Sequence, residues 1–381
     1  MSMEIGRKVT VETPHETSTP ALKSPAPQAP VPAAAPSPRG ASRAPARPGD
    51  GFEAGRPVRA HFDEHVDKHA KGAYFRKVES PASSKNEGIR GVGTLPQVQF
   101  DPTRQFKGTG ATAWQTGPLE RPSVYMGGRS AGKEVDCGLS WDRVYDSKGR
   151  ATYTDNANGS DMRDPAHRFA RVNIDGQPAL VDGNDKVVAK GQAEVDAKMK
   201  GLRENFAFRP FWRDTNSDTP KEQRWHNAKV GTPENMYFYP GERFTMSVKE
   251  SGPERIRMDI RLEDAKHPQH FTTHFRQEGF GAGQAASFKR VNSVDQFVIK
   301  DGKRIGAETT GQVEATRTTA LGASWDQVSL LRADGQHQPM MGPDFSVVKG
   351  ADTAKRYGTI FRISGSNEQG GERIDIHPAG R

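Results

Sequence analysis

Arg255-Ile256-Arg257-Met258-Asp259-Ile260-Arg261-Leu262 alternates a charged side chain with an apolar one across eight residues. A period of two places Ile256, Met258, Ile260 and Leu262 on one face of an extended strand and the charges on the other, the pattern of a half-buried strand. Upstream, Phe244-Thr245-Met246-Ser247-Val248 alternates in the same way, and Ser251-Gly252-Pro253 between the runs supplies turn chemistry. Together they predict an antiparallel hairpin with one buried face.

Working outward, further strands are expected at 124–126, 139–145, 169–174, 271–275, 288–294, 328–331, 358–363 and 374–376. One segment has helical spacing instead: Val195, Met199 and Leu202 fall at i, i+4 and i+7 in a stretch rich in Ala, Lys and Glu. A chain with many short strands and a single amphipathic helix lacks the alternation of a parallel α/β fold. The expected class is all-β, an antiparallel β-sandwich or jelly roll with one short helix, preceded by a disordered N-terminal tail.

Three regions are expected. Residues 1–60 contain eleven prolines and few large apolar side chains, too little to offset the entropy of ordering, so they form a disordered Pro/Ala-rich tail. Residues 61–95 are expected to be a linker with a short helix near 62–70, ended by Pro81. The sandwich occupies 96–381, starting near 90 to 120. With 40 glycines, 27 prolines and an apolar fraction of 33%, the composition suits many turns better than a helical bundle.

The formal charge of +8 includes a tail with eight Lys or Arg against five Asp or Glu. Elsewhere the signs are mixed, which opposes dedicated nucleic-acid binding, where basic residues gather in a stripe. The single cysteine, Cys137, excludes an intrachain disulfide framework and a multi-thiolate metal site. The first eight residues lack the apolar stretch of a secretory signal, and no run reaches the roughly 18 apolar residues of a transmembrane segment. Location is therefore expected to be cytoplasmic by default, or surface- or coat-associated through a non-classical route.

Several local patterns approach chemical motifs. Gly127-Gly128-Arg129-Ser130-Ala131-Gly132-Lys133-Glu134 nearly matches a phosphate-binding loop, but Glu134 replaces the hydroxyl that would hold magnesium and would repel phosphate, so a glycine-rich hairpin turn is expected. His267, His270 and His274 lack the further ligands of a zinc site. Acidic loops at 155–161, 182–185 and 214–218 carry oxygen donors, with Asp214, Asn216 and Asp218 as candidate calcium ligands, yet none completes a twelve-residue calcium loop. No cofactor is expected beyond such a structural calcium. Gly138-Leu139-Ser140-Trp141-Asp142-Arg143-Val144 is echoed by Gly322-Ala323-Ser324-Trp325-Asp326-Gln327-Val328, which reads as two strands of related position, each with a Trp anchor.

Aromatic residues cluster near 206–213, 225–226 and 237–240. Trp212, Trp225, Tyr237, Tyr239 and Arg209 are the candidate ligand residues, because aromatic faces beside Arg and Asp suit a sugar platform; the competing expectation places such aromatics in the core. For catalysis, a glycosidase carboxylate pair would come from separate strands, with Glu242, Asp259 and Asp295 as candidates, since Glu134-Val135-Asp136 is followed by Leu139 and not by a third acid.

The phrases Tyr125-Met126-Gly127-Gly128, Val135-Asp136-Cys137-Gly138-Leu139-Ser140-Trp141, Phe208-Arg209-Pro210-Phe211, Tyr239-Pro240-Gly241-Glu242-Arg243-Phe244-Thr245-Met246 and Phe288 to Gln296 resemble a poorly characterised family of bacterial secreted or spore-associated, concanavalin-like β-sandwich proteins, over about 120–335. The resemblance implies a surface or coat role and transfers no active residue. The expected function is a non-catalytic bacterial surface, envelope or spore-coat-type sandwich that binds polysaccharide or envelope components. The alternative is a glycoside hydrolase or lyase on the same fold.

Overall fold

A computed structural model describes residues 62–380 except 109–116, 156–162, 215, 221–223, 229–235, 264–267, 282 and 308–312. The expected tail, His267 and most of the acidic loop at 155–161 lie outside the described residues.

The 244–262 hairpin forms as its alternation requires. Arg243–Glu250 pairs with Arg255–Leu262, with Phe244 opposite Leu262, Met246 opposite Ile260 and Val248 opposite Met258, and all these side chains are buried. It belongs to a nine-stranded sheet whose path runs Gln269–Arg276, Arg255–Leu262, Arg243–Glu250, Asn86–Thr94, Thr319–Arg332, Glu372–Ile376 and Phe361–Ser364, with His337–Pro339 and Gln97–Gln99 paired to Thr319–Arg332.

A second nine-stranded sheet runs Asp63–Asp67, Ser346–Gly350, Ala73–Glu79, Ala286–Lys300, Glu120–Ser130, Lys133–Arg143, Phe206–Arg213 and Trp225–Asn227, with Lys303–Gly306 added to Ala286–Lys300. Apart from the parallel pair of Asp63–Asp67 with Ser346–Gly350, its pairings are antiparallel. The two sheets pack as a sandwich around one core that takes Val124, Met126, Cys137, Leu139 and Phe288 from this sheet and Met246, Met258, Ile260, Trp325 and Val328 from the other. Trp325 crosses between them, its Nε1 donating to Asn292 Oδ1 at 2.7 Å.

A smaller five-stranded sheet, with Thr152–Thr154, Arg168–Ile174, Gln177–Asp182, Val187–Lys190 and Arg203–Glu204, departs after Lys133–Arg143 and rejoins at Phe206–Arg213. The expected helix lies here at Gln192–Met199. It is shorter than its spacing suggested, but Val195, Met199 and Leu202 do face a separate core with Phe169, Leu180 and Ala189.

Two expectations are corrected. Residues 61–95 are not a linker with a helix: they hold the strands Asp63–Asp67, Ala73–Glu79 and Asn86–Thr94, and the last is central to its sheet. The stretch 358–363, expected to be one strand, begins as a short helix, Tyr357–Ile360, and becomes extended only at Phe361–Ser364. Among the described residues, no helix is long and apolar enough to cross a membrane.

Candidate functional site

Because side chains alternate along a strand, each residue of the second sheet faces either the core or the opposite surface. In Glu120–Ser130, Val124 and Met126 point inward while Arg121, Ser123, Tyr125 and Arg129 line a cleft. In Lys133–Arg143, Val135, Cys137 and Leu139 point inward while Glu134, Asp136 and Ser140 face the cleft. Phe211 and Arg213, Trp225 and Asn227, Lys289 and Asp295, and Phe75 and Lys77 extend that surface across neighbouring strands. The cleft has a volume of about 540 Å³.

One wall is aromatic. Trp225 is 53% exposed. Its ring centroid lies 5.7 Å from that of Phe211, and the Arg213 guanidinium stacks over it at 5.4 Å. This short edge strand, Trp225–Asn227, pairs Trp225 with Arg213, which fixes the ring at the rim.

The floor is charged and mostly self-neutralised. Lys289, 6% exposed, ion-pairs with Glu134 and reaches Asp136 Oδ1 at 2.6 Å, the latter off the hydrogen-bonding direction, so that oxygen has a charge partner without an aligned hydrogen bond. Arg129 lies 3.6 Å from Glu134, and Arg213 lies 3.6 Å from Asp136. Burial acts to raise the Glu134 carboxyl, but the charge and hydrogen bond of Lys289, with Arg129 and Lys77, outweigh it and hold the group below the ordinary carboxylate range. Burial, then the neighbouring Asp136, pushes the Tyr125 hydroxyl well above its ordinary value, so it remains a neutral donor. Ser123 Oγ donates to Asp295 Oδ2 at 3.0 Å.

Two glycines let the floor form. A Cβ on Gly127 would collide with the Val135 carbonyl oxygen, and one on Gly138 would lie 2.5 Å from Tyr125 Cα. Their missing side chains leave room above the strands for Tyr125 and Lys289.

Of the five candidate ligand residues, Trp225 lines the cleft. Trp212, on the adjacent strand opposite His226, faces the other way, stacking on His226 and Phe275 and lying tilted against Phe271. Tyr237 and Tyr239 are buried in a small cluster with Val144 and Ala207, and burial raises the Tyr237 hydroxyl to about 12. Arg209 is buried, bonding Asp142 Oδ2 at 2.9 Å and the Ala228 carbonyl. Sequence reasoning missed Tyr125, Phe211, Arg213 and Lys289 as companions of Trp225 in one cleft, because they come from three different strands and Trp225 from a fourth.

The calcium candidates do not converge. Asp214 Oδ2 accepts from His226 Nε2 at 3.0 Å, Asn216 bonds the backbone of Arg276 and Glu278, and Asp218 ion-pairs with Arg276 at 2.7 Å. Among the described residues, no group of three His, Cys, Asp or Glu could hold a metal ion. The carboxylates named for catalysis are also apart: Glu242 pairs with Arg163, Asp259 with Arg257 and His270 on the other sheet, and Asp295 alone faces the cleft. The near-phosphate loop is a hairpin turn, with Ala131 at φ 47° and Gly132 at φ 75°. Burial raises the Cys137 thiol well above its ordinary value, so it is an inert core residue.

No family model matches this chain, and no curated protein matches it. Among solved structures it is similar to Scytalido-glutamic peptidase bound to a peptide-based transition state analog, at 7% identity and a TM-score of 0.35. It is similar to SCP-B, a member of the eqolisin peptidases in complex with a tripeptide, at 7% identity and a TM-score of 0.33. In both cases 81% of this chain and 100% of the other are covered. Values this low establish neither a shared fold nor a shared activity.

Proposed function

We propose that this protein is a non-catalytic glycan-binding sandwich that holds a polysaccharide along the cleft of its second sheet. The observation that carries the reading is the half-open Trp225 ring at the rim of a cleft whose floor presents hydrogen-bonding groups. A sugar offers an apolar ring face and a belt of hydroxyls, and binding sites of this kind combine an apolar wall with a few placed polar groups. Tyr125, Ser140 and Asn227 are cleft-lining groups of that type.

The charged floor supports binding over turnover. Glycoside hydrolysis needs one carboxylic acid held protonated near neutral pH. Glu134 is instead held ionised by Lys289, as a positioning pair would be. Attachment to a bacterial envelope or coat is the cellular role this reading implies.

Affinity electrophoresis of the full chain against a panel of soluble polysaccharides tests it. Trp225→Ala is expected to weaken retention at least about tenfold, the loss of one stacking contact of ~1.5 kcal/mol, while no reducing ends appear on prolonged incubation. Equal retention of wild type and variant would overturn the proposal, and turnover lost in Glu134→Gln would replace it with an enzyme.

A further inference from the structure

Beside the cleft lies a second cavity of about 60 Å³, lined by Arg121, Trp141, Arg143, Tyr145, Phe297 and Arg304 among others. Arg121 and Phe297 also line the main cleft, so the two spaces adjoin. The Arg121 and Arg304 guanidiniums both stack on the Phe297 ring, at 5.0 and 4.5 Å from its centroid. Two like charges gathered on one ring repel each other and call for a counter-charge.

Among the described residues it is supplied only beyond ion-pair distance: Asp142 acts on Arg304 at longer range, and Asp295, opposite Arg121 in the strand ladder, accepts from Ser123. Neither Arg121 nor Arg304 has an ion-pair or side-chain hydrogen-bond partner there, and the acids nearby are already engaged. Glu120 pairs with Arg104, Asp142 with Arg209 at 2.9 Å, and Glu204 with Arg143 at 2.7 Å. Burial, and then the Arg121 charge, lowers the Arg304 guanidinium to about 10, which leaves it charged at neutral pH. Partly buried cations without a partner are costly, and a guanidinium presents a planar fork suited to a carboxylate.

We infer that the Arg121–Arg304 cavity is an anion subsite that takes the carboxylate of a uronic acid residue, so that the glycan in the main cleft is an acidic polysaccharide. The inference rests on the glycan-binding reading and narrows its ligand. At about 60 Å³ the cavity holds the equivalent of a few waters or one charged substituent and is too small for a sugar ring. The ring would lie in the main cleft, with its carboxylate directed past Arg121 and Phe297 toward Arg304.

The test is titration of the full chain with polygalacturonate, its fully methyl-esterified form and dextran sulfate, using wild type, Arg304→Gln, Arg121→Gln and the charge-matched control Arg255→Gln at an exposed position of the other sheet. Polygalacturonate is expected to bind at least about tenfold more tightly than its ester, and each cleft variant to lose about tenfold while Arg255→Gln loses none, as a charge-assisted contact of this type predicts. Thermal unfolding should show Arg304→Gln at least as stable as wild type, which separates lost binding from lost fold. An ester bound as tightly as the acid overturns the subsite but leaves glycan binding standing. Dextran sulfate binding that equals polygalacturonate binding and falls equally in Arg304→Gln overturns the carboxylate assignment, and failure to bind any glycan removes both readings.

Discussion

Glu372 sits in the core with two arginines. Arg76 grips it with two hydrogen bonds of 3.0 and 2.8 Å, Arg290 Nη1 donates to it at 2.6 Å, and Arg76 also donates to the Tyr357 hydroxyl at 3.2 Å. Arg76 and Arg290 come from one sheet and Glu372 from the other, so one carboxylate ties the layers of the sandwich together. Burial alone would raise its pKa, but the two guanidiniums hold it at about 2. Removing one partner from a buried ion cluster leaves the remaining charge uncompensated, so Glu372→Gln is expected to cost about 3–5 kcal/mol in urea unfolding. The folded-state pKa lies below the unfolded value of roughly 4, so the stability this carboxylate supplies is complete above that value. It should be lost as pH falls toward 2. Unfolding followed from pH 6 to pH 2 should therefore show a shallower acid limb in Glu372→Gln, and an unchanged limb would count against the tie.

At the scale of the element, glycine does two different jobs in one hairpin. Gly132, at φ 75° in the turn, has open space around it, so a side chain there meets only backbone strain. Gly127, three residues before the turn, lies against the Val135 carbonyl and under Lys289. Gly132→Asn should be nearly neutral because Asn tolerates the left-handed region, whereas Gly127→Ala should cost ~2 kcal/mol or more through forced separation of the strands; comparable urea midpoints for the two would refute the distinction. The same physics explains what the sequence revealed and concealed. The 244–262 hairpin was legible because Phe244, Met246, Ile256 and Met258 declare their inward face. Asn86–Thr94 was not, because its packing rests on absent side chains: a Cβ on Gly91 would meet Met126 Cε at 2.6 Å and Trp325 at 3.0 Å. Ala73–Glu79 was hidden by Arg76, a charge at an inward position whose partner lies 296 residues away in sequence. Phe211 and Trp212 could be assigned to an aromatic cluster but not to opposite faces, since a strand flanked by apolar residues on both sides gives no phase until the sheet is assembled. The cleft was illegible for a related reason, its members being contributed singly by strands far apart in the chain.

For the whole molecule, the question is which parts of the fold the cleft depends on. The small sheet between Lys133–Arg143 and Phe206–Arg213 has its own core of Phe169, Leu180, Ala189 and Val195, distinct from the sandwich core. Where it leaves and rejoins, Val144 and Ala207 pack with Tyr237 and Tyr239, and the Tyr145 backbone amide donates to the Tyr237 hydroxyl at 3.0 Å. Segments with separate cores open as separate units, with free energies set by their own packing. Leu180 is fully buried in the small core, so Leu180→Ala should cost about 2–5 kcal/mol of local stability. Hydrogen exchange should accelerate at the amides of 168–202 while those of Glu120–Ser130 and Ala286–Lys300 keep their protection. Glycan affinity should stay within about twofold of wild type, because the cleft-lining side chains stand on strands anchored by the main core. Exchange that rose equally in both regions, with loss of binding, would mean that the small sheet and the sandwich fold as one cooperative unit and that the cleft is held from both sides.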